Sequence, residues 1–152
     1  MARAISPVIG VVLLIACTIG LSAVVGVMAF AYEPAQPASI VVVGGEADAA
    51  ADRITLTLER GGPLDMRELS LAVAIDGDPL ETQPSYGSQR GLSGYPNGAL
   101  NPGTDSEWNQ GESTSFVIAG TTNGPHPEPG SAVTVRLHED GLPIATVETT
   151  AR

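Results

Sequence analysis

The chain contains no lysine: all seven of its basic residues are arginine, set against seventeen acids. It has one cysteine, Cys17, so no intramolecular disulfide can form and any folded domain must be held by packing. Aromatics make up only 4% of the residues. No Asn-x-Ser/Thr acceptor occurs, because Asn97, Asn101, Asn109 and Asn123 are followed two residues on by Ala99, Gly103, Gly111 and Pro125. Also missing are a G-x-S-x-G elbow, a phosphate-binding P-loop, an H-E-x-x-H pair and a dinucleotide fingerprint. The two histidines, His126 and His138, lack a partner at ligand spacing, so neither a metal nor a cofactor is expected. Asp76-Gly77-Asp78 reads as turn chemistry in place of a cation site. These absences argue against an enzyme.

Charge is distributed unevenly. Every acid lies at Glu33 or beyond, against six arginines there, which leaves that segment at about −11. Such a surface repels nucleic acid and anionic lipid. The use of arginine alone fits a coding bias or adaptation to high salt; the acid excess favours the second, since salt screens self-repulsion among carboxylates.

Between Arg3 and Glu33 there is no charge at all. That run exceeds the roughly 20 apolar residues a bilayer-spanning helix needs. Ser6-Pro7 reads as the helix start, with the serine hydroxyl capping free amides and proline at the first helical position. The helix is expected to run to about Tyr32, where Glu33-Pro34-Ala35-Gln36-Pro37 ends it. Three readings compete for the run. Ala29-Phe30-Ala31 has the form of a secretory cleavage site, but the apolar stretch is far longer than the usual ~7–15 residues. Leu14-Ile15-Ala16-Cys17 resembles a lipoprotein box, yet another dozen apolar residues follow Cys17.

The third reading rests on Arg3-Ala4-Ile5-Ser6-Pro7-Val8-Ile9-Gly10 and the apolar residues after it. This segment resembles the amino terminus of archaeal type IV pilins, in particular the haloarchaeal kind. The resemblance implies removal of a short leader by a prepilin peptidase near Arg3 and Ala4. It also implies a helix that leaves the membrane to pack in a filament core, driven by an assembly ATPase and a membrane platform protein. Two features depart from the wider pattern: the leader is only about three residues, and Val8 stands where bacterial pilins carry an acid. The helix itself offers close-packing positions, Ala16, Gly20, Ser22, Ala23 and Gly26, including two small-x-x-x-small pairs, with Gly10 nearer its start.

After Ser39 the pattern changes to short alternating pieces between turn residues, which is strand grammar. Strands are expected at Ile40–Val43 (closed by Gly44-Gly45), Ile54–Leu58, Leu69–Ile75, a returning edge at Leu80 and Thr82, Thr114–Ala119, Val133–Leu137 and Ile144–Thr149. Asp76-Gly77 and Asp140-Gly141 are hairpin turns. Residues 83–111 form one long connection, either ordered and functional or mobile, whose Tyr86, Tyr95 and Trp108 pack it back on the sheet.

The expected fold is α+β: a long hydrophobic amino-terminal helix and an antiparallel β-sandwich head of immunoglobulin-like type. The expected division is leader 1–3, helix 4–32, linker 33–38 and head 39–152. The function expected is a pilin that self-assembles into an adhesive surface filament and is membrane-inserted beforehand. The alternatives are a single-pass anchored binding module and a minor pilin outside the filament bulk.

Overall fold

A computed structural model describes residues 5–31 and 40–152 of the chain, which divides into two compact units, Met1–Pro37 and Ala38–Arg152. The leader, the linker, Tyr32 and Ser39 lie outside the described residues.

The first unit is one helix, α1, Ile5–Ala31. Ser6 is therefore helical instead of capping from outside, which corrects the expected start. Pro7 still falls in the first turn, where the amide it lacks has no intrahelical partner.

Among its described residues the second unit has nine strands: β1 (Val42–Asp48), β2 (Arg53–Arg60), β3 (Leu64–Asp65), β4 (Leu69–Ile75), β5 (Asp78–Pro79), β6 (Glu107–Trp108), β7 (Ser113–Val117), β8 (Ala132–Glu139) and β9 (Leu142–Thr150). They form sheets in the orders β1-β2-β7 and β5-β4-β8-β9, with β3 and β6 as a separate pair, and all pairings within these sheets are antiparallel. The alternating residues meet the expectation. Ile54, Leu56 and Leu58 on β2, Leu69, Leu71, Val73 and Ile75 on β4, and Val133, Val135 and Leu137 on β8 are all buried in one shared core. On β9, whose inward face the pattern left open, Val147 is the buried residue.

Both hairpin dipeptides turn with positive φ at each residue, 51° and 89° at Asp76-Gly77 and 50° and 81° at Asp140-Gly141. This is the conformation that matches the twist of the flanking strands.

Strand β1 differs from the expectation. It starts two residues later and passes through Gly44 and Gly45 to Asp48. Gly45 serves close approach in place of a turn: a Cβ there would lie 2.5 Å from Val147 Cγ1, whereas one on Gly44 would meet only the movable end of the exposed Glu59 side chain. The turn comes after them, where Asp48 Oδ1 accepts from the amides of Ala50 and Ala51.

The returning edge beside β4 is also shorter than expected, ending at Pro79. Gln83 takes over the work of a strand there. Its Oε1 accepts from the Val73 amide at 2.6 Å and its Nε2 donates to the Val73 carbonyl at 3.1 Å. Blocking an edge with proline and a side-chain amide leaves fewer groups to template another chain.

The 83–111 connection carries structure of its own: β6, a 3-10 turn at Gly98–Leu100, and bridges from Leu92 to Ile118 and Asn97 to Ser115. Trp108 is wholly buried, its Nε1 donating to the Glu112 carbonyl at 2.9 Å, and Tyr86 packs against the core. Tyr95 departs from the expectation and is 59% exposed.

At one corner the two larger sheets join. The Arg152 amide donates to the Ala47 carbonyl and the Ala49 amide donates to the Arg152 carbonyl. The chain after β9 thus runs parallel to the end of β1.

Candidate functional site: the amino-terminal helix

From Pro7 to Val25 the helix has a mean hydropathy of 2.8 and, among the described residues of its own unit, no side chain of that stretch is buried. Eleven large apolar residues between Val8 and Val25 are exposed, the least exposed being Ile15 at 51%. Each would gain about 1.5–3 kcal/mol on full burial, so leaving them all in water forgoes on the order of 20 kcal/mol. That magnitude decides the matter: the first unit by itself leaves its apolar surface without a cover. Its apolar surface runs all round instead of forming one stripe, the pattern of a helix surrounded on every side by lipid or by other helices. It is long and apolar enough to cross a membrane.

The polar atoms within the span are accommodated locally. Thr18 Oγ1 donates to the carbonyls of Ile15 at 2.8 Å and Leu14 at 3.1 Å, and Ser22 Oγ donates to the Thr18 carbonyl at 2.7 Å. With their hydroxyls bonded to their own helix, both residues can enter an apolar medium without an unmet donor.

The small residues fall on more than one face. At roughly 100° per residue, Ala16, Gly20 and Ala23 form one stripe, Ser22 and Gly26 lie about a third of a turn away, and Gly10 occupies a third direction. A Cβ added at Gly10 or Gly20 meets nothing within 4 Å among the described residues. Within one chain these positions are open notches. Arg3 and Ala4, expected at the processing site, lie outside the described residues, and Cys17 is an exposed free thiol on the helix.

In the head, the residues with possible chemistry are dispersed. Among the described residues no group of three or more His, Cys, Asp or Glu is placed to hold a metal ion. His126 Nδ1 lies 3.1 Å from Asp52 Oδ1, tying the proline-rich turn to the β1–β2 turn, while His138 stands apart on β8. Asp65 and Arg67 form a bidentate pair, and the hydrogen bonds from the Arg67 side chain hold the Asp65 carboxyl well below the usual carboxylate range. The Arg53 and Arg152 side chains line one hollow, a convergence invisible in a sequence that separates them so widely.

Comparison with known proteins bears on the helix. Residues 3–43 match the family model described as Archaeal Type IV pilin, N-terminal. The matched segment covers the helix and ends on β1, two residues into the head's first strand. No curated protein matches the chain.

Proposed function

We infer, from the match of residues 3–43 to the family model described as Archaeal Type IV pilin, N-terminal, that the chain is a pilin subunit that polymerises into a surface filament whose core is built from copies of α1. The observation that carries the reading is the helix apolar on all sides, with nothing in its own unit to cover it. Before assembly the bilayer covers it; in the filament, neighbouring helices do. The notches at Ala16, Gly20, Ser22, Ala23 and Gly26 admit close backbone approach from several directions, as a helix with several neighbours requires. Hydroxyls bonded to their own backbone suit both environments.

Assembly of this kind needs a prepilin peptidase acting near Arg3 and Ala4, an assembly ATPase and a platform protein. The head then faces outward at the cell surface. We read it as an immunoglobulin-like sandwich: β1, β2 and β7 stand in the order of strands A, B and E, and β5, β4, β8 and β9 in the order C′, C, F and G. The long 83–111 connection, with Tyr95 exposed, is the surface we assign to adhesion. The acid excess of the segment from Glu33 onward suits a saline medium, which screens repulsion between adjacent heads.

Electron microscopy of material sheared from cells tests the reading. Filaments containing this chain, with an amino terminus near Ala4 by mass spectrometry, are expected. An anchored module gives no filaments, and an amino terminus at Tyr32 or a lipid on Cys17 contradicts the assignment.

A further inference from the structure

The chain holds two Asn-Gly dipeptides, Asn97-Gly98 and Asn123-Gly124. Asparagine is most labile ahead of glycine, because a following residue without a Cβ lets its backbone nitrogen reach the side-chain amide. The head puts the two dipeptides in opposite circumstances.

Asn123 is locked. It is buried, its Oδ1 accepts from the Thr82 amide at 2.9 Å, and its Nδ2 donates to the carbonyls of Thr82 and Gly91, each at 2.9 Å. The Gly124 amide, which would have to attack the side chain, instead donates to Asn123 Oδ1 at 3.0 Å. Turning the Asn123 Cγ toward that nitrogen breaks these bonds at a buried site.

Asn97 is exposed, and its side chain makes no capping bond to the 3-10 turn that it precedes. Only its backbone is held: the amide donates to the Ser115 carbonyl at 2.7 Å, and the carbonyl accepts from Thr114 Oγ1 at 2.6 Å. The next residue is fixed as glycine by the fold. Gly98 has a φ of 71°, and a Cβ there would be driven into the Ser113 carbonyl oxygen and lie 2.9 Å from the Thr114 Cα. The packing of this turn on β7 therefore demands the very residue that makes Asn97 labile.

We propose that Asn97 is a site of spontaneous deamidation in the folded head, from which Asn123 is shielded. The Gly98 nitrogen bonds to Asn97 Cγ and gives up its proton, the Cγ–Nδ2 bond breaks, and ammonia leaves. One water then opens the cyclic imide. Opening at Cγ gives aspartate; opening at the backbone carbon gives isoaspartate, which routes the main chain through the former side chain. Amide and water become acid and ammonia, so no oxidant or reductant is needed. Ring closure rotates Asn97 from its extended ψ of 162° and swings its carbonyl off Thr114, so the step follows local opening of this bridge and not global unfolding. Either product places a new negative charge two residues from the exposed Tyr95. Isoaspartate also lengthens the main chain where Asn97 bridges to Ser115. The inference is independent of the filament reading.

Peptide mapping of the full chain tests this. The purified protein is held at mildly alkaline pH, digested at intervals and analysed by mass spectrometry. The peptide containing Asn97 should gain the mass difference between amide and acid, in two chromatographically distinct forms, several-fold faster than the peptide containing Asn123. In denaturant, where neither dipeptide is held, the two rates should converge. Equal rates in the folded chain, or a faster rate at Asn123, overturns the proposal. So does a difference of the same size in denaturant, which would trace it to neighbouring residues in sequence and not to the fold.

Discussion

Gly45 and Val147 belong to different sheets, yet a Cβ on Gly45 would stand only 2.5 Å from Val147 Cγ1. The missing side chain of the first is the space occupied by the second. Substituting Gly45→Val should therefore destabilise the head by about 1–3 kcal/mol, the usual cost of forcing extra carbon into a packed core. Equilibrium unfolding in denaturant measures this; a variant as stable as the original would mean that the two sheets separate freely at this seam.

Gln83 supplies both a donor and an acceptor to Val73 where a strand partner is lacking. Gln83→Ala removes both bonds at a half-buried position and should cost about 1–3 kcal/mol, because the Val73 amide then loses its partner while the Val73 carbonyl keeps the Leu80 amide. Hydrogen exchange at the Val73 amide is the sharper readout. It should quicken well beyond the change at Val135 on the neighbouring strand, and equal effects at both would show general loosening instead.

The Asp65–Arg67 pair makes a prediction in acid. Its folded-state carboxyl titrates below the ordinary value of 3.8, held down first by the side-chain hydrogen bonds from Arg67. The unfolded state therefore binds more protons in that window. The stabilisation is present above the ordinary carboxylate range and is lost as pH falls from there toward the folded value. Arg67→Ala should flatten the acid limb of a stability-versus-pH curve without changing its neutral plateau much, since the pair is at the surface. An unaltered acid limb would remove this pair from the acid sensitivity of the head.

Gly20 sits on the stripe shared with Ala16 and Ala23 and has open space around it in a single chain. Gly20→Leu should consequently leave membrane insertion intact, and even favour it, while reducing filament formation strongly. Alkaline extraction of membranes and filament counts in micrographs report the two steps separately. Filaments of normal abundance would show that helices do not approach closely at this position.

Some features of the protein are decided by local chemistry, and these are legible along the chain. A run without charge from Ala4 to Tyr32 is long and apolar enough for a helix that crosses a membrane. Strict alternation specifies the buried faces of β2, β4 and β8, since one face must leave water. Asp-Gly pairs specify the two tight hairpins because aspartate and glycine accept positive φ. Other features depend on atoms brought from a distance. Gly45 looks like part of a chain break until Val147 arrives beside it. Gln83 looks like a loop residue until Val73 presents an amide that it can accept from. Trp108 gains a buried site only because β6 pairs with β3 and Glu112 offers its carbonyl. The meeting of Arg53 with Arg152 has no local signal at all, for it follows from the chain after β9 pairing with β1. The sequence by itself determined that one part of this protein seeks an apolar cover and the other folds as strands; which side chains of the head stand together was left to the packing of its two sheets, where proximity in space replaces proximity along the chain.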